Sequence, residues 1–174
     1  MAEAFRGEFY QKVDTKARVS IPAAFRRILE ADDTRSAEFP RTRLNMVYGG
    51  KSRNFVECYS KAGADRLAGL VQQLPPGTKE RLRAERNLIT LSITVEIDDD
   101  GRIVLPAKVR EKMGLPTGDL QPCEAAFAGT LDRFQLWLRP TYDAEVVAAD
   151  DDDADDLPGG ADILSLLKNT DPGA

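Results

Sequence analysis

Apolar and polar positions alternate along this chain in short blocks. Phe5 to Val13 reads as a strand or a bent pair of strands, and Val19 to Ile21 as a short strand; Leu44 to Tyr48 and Asn54 to Tyr59 read as two more, joined across Gly49-Gly50-Lys51-Ser52-Arg53, a hairpin signature. Pro22 opens a helix, because proline lacks only an N–H that the first helical turn leaves unpaired, and Phe25, Ile28 and Leu29 give that helix an apolar stripe with Arg26 and Arg27 on its outer side. Residues 30–43 are polar and predict a loop. Lys61 to Leu74 carries Leu67, Leu70, Val71 and Leu74 at helical spacing and stops at Pro75-Pro76-Gly77, after which Thr78 caps a second, charged helix through Arg86. The chain then predicts a strand over Leu88 to Ile97, a short strand over Ile103 to Leu105, and a helix from Pro106 to Met113 closed by Gly114. A turn at Pro116-Thr117-Gly118-Asp119 leads to strands ending in Phe134-Gln135-Leu136-Trp137-Leu138.

The pattern states one unit twice. Val13-Asp14-Thr15-Lys16-Ala17-Arg18-Val19-Ser20-Ile21-Pro22-Ala23 returns as Ile97-Asp98-Asp99-Asp100-Gly101-Arg102-Ile103-Val104-Leu105-Pro106-Ala107, and the helix that follows keeps register through Arg26 and Arg110. A unit this short cannot bury its own apolar face, so two must share one core. The reading is an α+β protein with a first repeat over residues 5–60, linking helices over 61–87 and a second repeat over 88–142. Phe55 and Phe134 are expected at equivalent positions.

Composition narrows the class. With 174 residues, 42% of them hydrophobic, the chain can fill one core of ordinary size, and its longest apolar runs fall short of the roughly 20 residues a bilayer span needs. No apolar signal region opens the chain, so a soluble, cytoplasmic protein without membrane contact is expected. Cys58 and Cys123 are too few for a disulfide framework and predict buried thiols. The absence of histidine removes the commonest general base and any Cys/His zinc set, and the neighbouring aspartates 98–100 lack a phosphate-cradling loop beside them, so no catalysis, metal or cofactor is expected.

The net charge of -5 averages two unlike parts. Residues 143–174 hold ten acidic groups against Lys168, leaving residues 1–142 at net +4. The aspartate runs at 150–153 and 155–156 predict a disordered acidic tail, relieved only by the apolar Ile163-Leu164-Ser165-Leu166-Leu167. Positive charge concentrates on the first copy: residues 5–29 carry Arg6, Lys12, Lys16, Arg18, Arg26 and Arg27 against Glu8 and Asp14, a net of +4, whereas residues 89–115 come to -1.

In an Asp-x-x-x-Arg hairpin the aspartate can accept turn N–H groups while the arginine begins the next strand, making the turn a rigid mount for a cation. Asp14, Asp98 and Gly101 are therefore read as structuring the turns. Lys16 and Arg18 are read as contacting DNA, Arg26, Arg27, Arg6 and Lys12 as supporting phosphate contacts, and Arg102 as a weaker counterpart in the acidic second copy. An exposed Asp–Arg pair that only stitches its hairpin is the alternative, contributing about 0.2–1 kcal/mol.

At these residues the chain resembles a known family. Phe5-Arg6-Gly7-Glu8, the two Asp-x-x-x-Arg motifs each followed by a strand and Pro-Ala, and the closing strand Phe134 to Trp137 resemble MraZ, the bacterial transcriptional regulators of the division and cell-wall gene cluster, within the AbrB-like swapped-hairpin superfamily. The resemblance covers about residues 5–142. It implies interleaved hairpins forming one pseudo-twofold β-barrel with flanking helices. It also implies a ring-like homo-oligomer, nucleoid-associated, that binds short direct repeats of double-stranded DNA upstream of its own operon and represses it. Family turns usually carry Lys-Gly before the arginine; here the first has Lys16-Ala17 and the second Asp100-Gly101. Alanine in a left-handed position is strained by roughly 1–2 kcal/mol, which predicts a first turn of different shape. An antitoxin-like module, autoregulating through the same barrel while its acidic tail wraps a partner protein, is the alternative function.

Overall fold

The computed structural model describes residues 3–116, 118–153, 157, 159 and 162–169. The chain divides into one compact unit over residues 1–139 and a second over 140–174.

The first unit holds β1 (Glu8–Val13), β2 (Arg18–Ser20), α1 (Ala23–Ala31), β3 (Arg43–Val47), β4 (Val56–Tyr59), α2 (Lys61–Gln72), α3 (Lys79–Ala84), β5 (Ser92–Glu96), β6 (Arg102–Val104), α4 (Ala107–Met113), β7 (Cys123–Gly129) and β8 (Phe134–Leu138). The eight strands form one antiparallel sheet in the order β5-β3-β4-β8-β7-β1-β2-β6, and the Asp98 N–H donating to Arg102 O at 2.8 Å links β5 to β6, so the sheet curls into a nearly closed barrel. Each repeat lends its first strand to the other: β1 pairs with β7 and β5 with β3. Half a barrel of this kind leaves its edges unpaired, which is why the two copies interleave.

The register locates a pseudo-dyad. It passes between Val19 and Ile103 on β2 and β6 and, on the opposite wall, between Glu57 and Gln135 on β4 and β8. Side chains repeat the relation, since Tyr59 Oη donates to Glu57 Oε2 at 2.8 Å and Trp137 Nε1 to Gln135 Oε1 at 3.0 Å. Val56, not Phe55, is therefore the dyad-related equivalent of Phe134. Phe134 is fully buried in the barrel while Phe55 stacks on Trp137 with ring centroids 4.6 Å apart. The equivalence expected from sequence was displaced because the two closing hairpins differ in length.

Phe5, Phe25, Phe127 and Phe134 fill the core, with Phe25 and Phe134 stacked at 4.8 Å and Phe5 edge-on to Phe25 at 5.4 Å, pairs that each contribute about 0.5–1.5 kcal/mol beyond area burial. Helix ends follow their caps: Ser60 Oγ accepts from Gly63 N at 3.0 Å, Thr78 Oγ1 accepts from Arg81 N at 3.2 Å, and Gly114 ends α4 at φ 82°. The helix begun at Thr78 runs on as wide turns over Glu85–Thr90, closed by Leu91 N–H onto Arg86 O at 3.0 Å. Leu88 to Thr90, expected in a strand, belong to it, and β5 starts at Ser92. Cys58 is buried and its thiol is pushed well above its ordinary value by burial, whereas Cys123, expected buried, is only half-buried on β7.

In the second unit, Asp143–Val147 forms wide helical turns, α5 spans Ala148–Asp153 and Ile163–Asn169 is a 3-10 helix. The tail expected to be disordered also includes 154–156, 158, 160, 161 and 170–174, which lie outside the described residues, as does Thr117 of the turn after α4. No helix among the described residues is long and apolar enough to cross a membrane.

Candidate nucleic-acid interface

The first Asp-x-x-x-Arg turn is built by its aspartate. Asp14 Oδ1 accepts from the N–H groups of Lys16 at 3.0 Å and Arg18 at 2.8 Å, and Asp14 N–H donates to Arg18 O at 3.0 Å. Its second oxygen, Oδ2, accepts from Arg18 Nε at 2.7 Å. These bonds, led by the Arg18 N–H, hold the Asp14 carboxyl below its ordinary range. The guanidinium is aimed by the turn yet 35% exposed, and the Lys16 side chain projects to solvent.

The second turn repeats the backbone bonds. Asp98 Oδ1 accepts from Asp100 N and Arg102 N, both at 2.9 Å, and Gly101 N–H donates to Asp98 O at 3.0 Å as Ala17 N–H does to Asp14 O at 3.0 Å. Again the arginine N–H leads in holding the carboxyl low. The expected difference in shape is absent: Ala17 takes φ 61° beside 77° at Gly101, so alanine accepts the left-handed conformation and the ladder overrides its preference.

What differs is the charge around the turns. Asp14 is the single carboxylate of the first. In the second, Arg102 contacts Asp100 Oδ2 through Nη2 at 2.9 Å and Asp98 Oδ2 through Nε at 3.6 Å, and Arg41 from the loop after α1 lies 3.6 Å from Asp99. Each of the three aspartates thus has Arg102 or Arg41 as an ion-pair partner.

Across the dyad each repeat clamps the other's turn, with Ile21 N–H donating to Gly101 O at 2.9 Å and Leu105 N–H to Ala17 O at 2.8 Å. On the outer face of β2 and β6, Arg18 stands opposite Val104 and Arg102 opposite Ser20, which sets the two arginines at opposite ends of a short ribbon.

The remaining cations disperse. Arg26, expected on the outer side of α1, is half-buried against the second turn: a Cβ built on Gly101 would stand 2.1 Å from its Nη1, and its Nε is buried without a hydrogen-bond partner. Helix α1 leaves β2 toward the partner repeat, which is why this face meets protein. Arg110 of α4, which the repeat relation makes the counterpart of Arg26, likewise has its Nε buried without a hydrogen-bond partner among the described residues. Arg27 and Lys12 are exposed, Lys12 opposite Glu124 on β7. Arg6 is exposed but precedes β1, whose six residues separate it from the first turn by roughly 20 Å. Sequence reasoning missed Arg41 as a turn neighbour. Nothing local in the sequence marks it.

A barrel of two interleaved hairpins, each with an Asp-ordered arginine turn, defines a tandem swapped-hairpin protein. No protein-family model matches the chain. It is 52% identical over 171 residues to a transcriptional regulator MraZ of Cereibacter sphaeroides, covering 98% of this chain and 99% of the relative. It is 41% identical over 167 residues to that of Ruegeria pomeroyi, 96% of each chain. At 29% identity over 154 residues, 88% of this chain and 92% of the relative, it matches that of Neisseria meningitidis. The chain belongs to the MraZ family of transcriptional regulators.

Proposed function

We propose that the protein binds double-stranded DNA in its own promoter region through the first Asp-x-x-x-Arg turn and represses the division and cell-wall gene cluster found there. Arg18, steered by Asp14 yet 35% exposed, carries the reading, because a β-turn with an oriented guanidinium fits the edge of a guanine in the major groove. Lys16 adds charge at that turn, and Arg27 and Lys12 reach flanking phosphates. Arg102, tied to Asp98 and Asp100, contributes less.

A single turn touches few base pairs, so specific binding calls for repeated sites and repeated subunits. Leu70 (61% exposed) on α2, Leu82 (55%) on α3, Ile89 (42%) on the turns after it and Ile93 (37%) on β5 offer apolar surface for a ring-like homo-oligomer in the cytoplasm, associated with the nucleoid. Fluorescence anisotropy with a duplex from upstream of the gene, against a scrambled duplex, tests the reading. Preference for the native duplex that disappears in Arg18→Ala supports it, and equal binding of both duplexes contradicts it.

A further inference from the structure

Away from the turns, a cleft of about 340 Å³ lies between the β3–β4 hairpin of the first repeat and α4 of the second, and cations from both repeats meet in it. Lys51, Arg53, Lys108 and Lys112 line it with the ring of Tyr48, and Glu111 is the only carboxylate in its wall, 3.9 Å from Lys108. Lys112 is drawn in far enough for its Nζ to donate to Gly50 O. Burial first, and the neighbouring Arg53 second, hold its ammonium below the ordinary value; Arg53 is itself paired with Glu57 at 3.2 Å, which leaves Lys51 and Lys112 as the cations of the cleft without a carboxylate beside them among the described residues.

The barrel does not require this cation set. The repeat relation places Ala24 and Ile28 of α1 where α4 has Lys108 and Lys112, and the corresponding β7–β8 hairpin is the short Thr130–Arg133 turn, whose Thr130 N–H donates to Arg133 O at 2.8 Å. One end of the pseudo-symmetric molecule is packed with Phe5, Phe25 and Phe134, while the other keeps an open cationic pocket against an aromatic ring.

We propose that this cleft binds a phosphorylated small molecule, its phosphates on Lys51, Lys108 and Lys112 and its organic part against Tyr48. The volume lies within the range of small-molecule sites. Lys112 recessed in the wall, with exposed Lys51 and Lys108 at the rim, suits a compact anion that enters the cleft, whereas a duplex backbone is met by projecting side chains alone, such as Lys16.

Calorimetric titration of the full chain with inorganic pyrophosphate and with ATP tests this, using wild type, Lys51→Ala and Lys112→Met at constant ionic strength, with melting curves for each variant. Saturable binding to wild type, weakened roughly tenfold or more in either variant at unchanged melting temperature, is the expected result. Lys51 is exposed, so its substitution leaves the fold intact even if Lys112→Met does not. Lack of saturable binding to wild type, or binding that Lys51→Ala leaves unchanged, overturns the proposal. So does a pair of variants that bind no phosphate compound differently from wild type yet flatten the salt dependence of DNA binding, which marks a DNA contact instead.

Discussion

Arg26 of the first repeat lies across Gly101 of the second, its Nη1 only 2.1 Å from where a Cβ on that glycine would stand. The turn of one repeat is thus roofed by the helix of the other, and the glycine serves both its left-handed φ of 77° and this close approach. Gly101→Ala is expected to destabilise by about 2–3 kcal/mol, adding left-handed strain to displacement of the guanidinium. At Ala17, relief of strain is offset by the freer glycine backbone and a lost buried methyl, so Ala17→Gly stays within about 1 kcal/mol of wild type. Denaturant melts of the two variants check this, and equal effects would show that the turns are not differently roofed.

The two turns share a backbone but not an electrostatic setting. Arg18→Ala is expected to remove most DNA affinity at unchanged melting temperature and to flatten the slope of log affinity against log salt by about 0.9 per lost phosphate contact. Arg102→Ala is expected to weaken binding less and to lower the melting temperature more, since it leaves Asp98 and Asp100 facing each other without their cation. Titrations at two salt concentrations decide between this and equal turns.

Asp33 is buried and takes Arg43 through three bonds: Arg43 N to Oδ2 at 2.8 Å, Nε to Oδ2 at 3.1 Å and Nη2 to Oδ1 at 2.7 Å. The Arg43 side chain, against the opposing effect of burial, holds this carboxyl below its ordinary 3.8. A carboxyl with a depressed folded value stabilises fully above its unfolded value and loses that contribution as pH falls through the folded one. Asp14 and Asp98 are shifted the same way, so the melting temperature should hold from neutrality to about pH 4 and fall below it. Asp33→Ala should lower the melting temperature at neutral pH, by leaving Arg43 without its partner, and should make the acid limb shallower.

Residues 143–174 carry net charge -9 beside a body of net +4. Deleting the chain after Tyr142 is expected to raise DNA affinity at low salt and to change little at high salt, where screening shortens the reach of the tail's field. Unchanged affinity at low salt would remove the autoinhibitory role and leave the tail as a solubilising segment.

The sequence made the barrel legible because its signals are local and doubled. Asp14 and Asp98 reach only their own turns, Thr78 and Gly114 mark helix ends by cap chemistry, and the alternation of Val13, Val19 and Ile21 survives as one buried face. What escaped depends on the partner repeat. The outward reading of Arg26 fails because α1 lies on the other copy's turn, and the match of Phe55 to Phe134 fails because register is fixed by strand pairing across the dyad. Ala17 was legible as a strained position, but not the decision of the ladder to keep it so. Arg41, Lys51 and Lys112 came to matter only once a loop, a hairpin and a helix distant in sequence were side by side.

Nuclease footprinting of the region upstream of the gene, with wild type and Arg18→Ala in parallel, tests the central claim most directly. Wild type should protect an array of short direct repeats at regular spacing, and Arg18→Ala should protect none at the same concentration while melting normally. Protection by Arg18→Ala equal to wild type, or no protected repeats with the wild type, would contradict DNA recognition through the first turn.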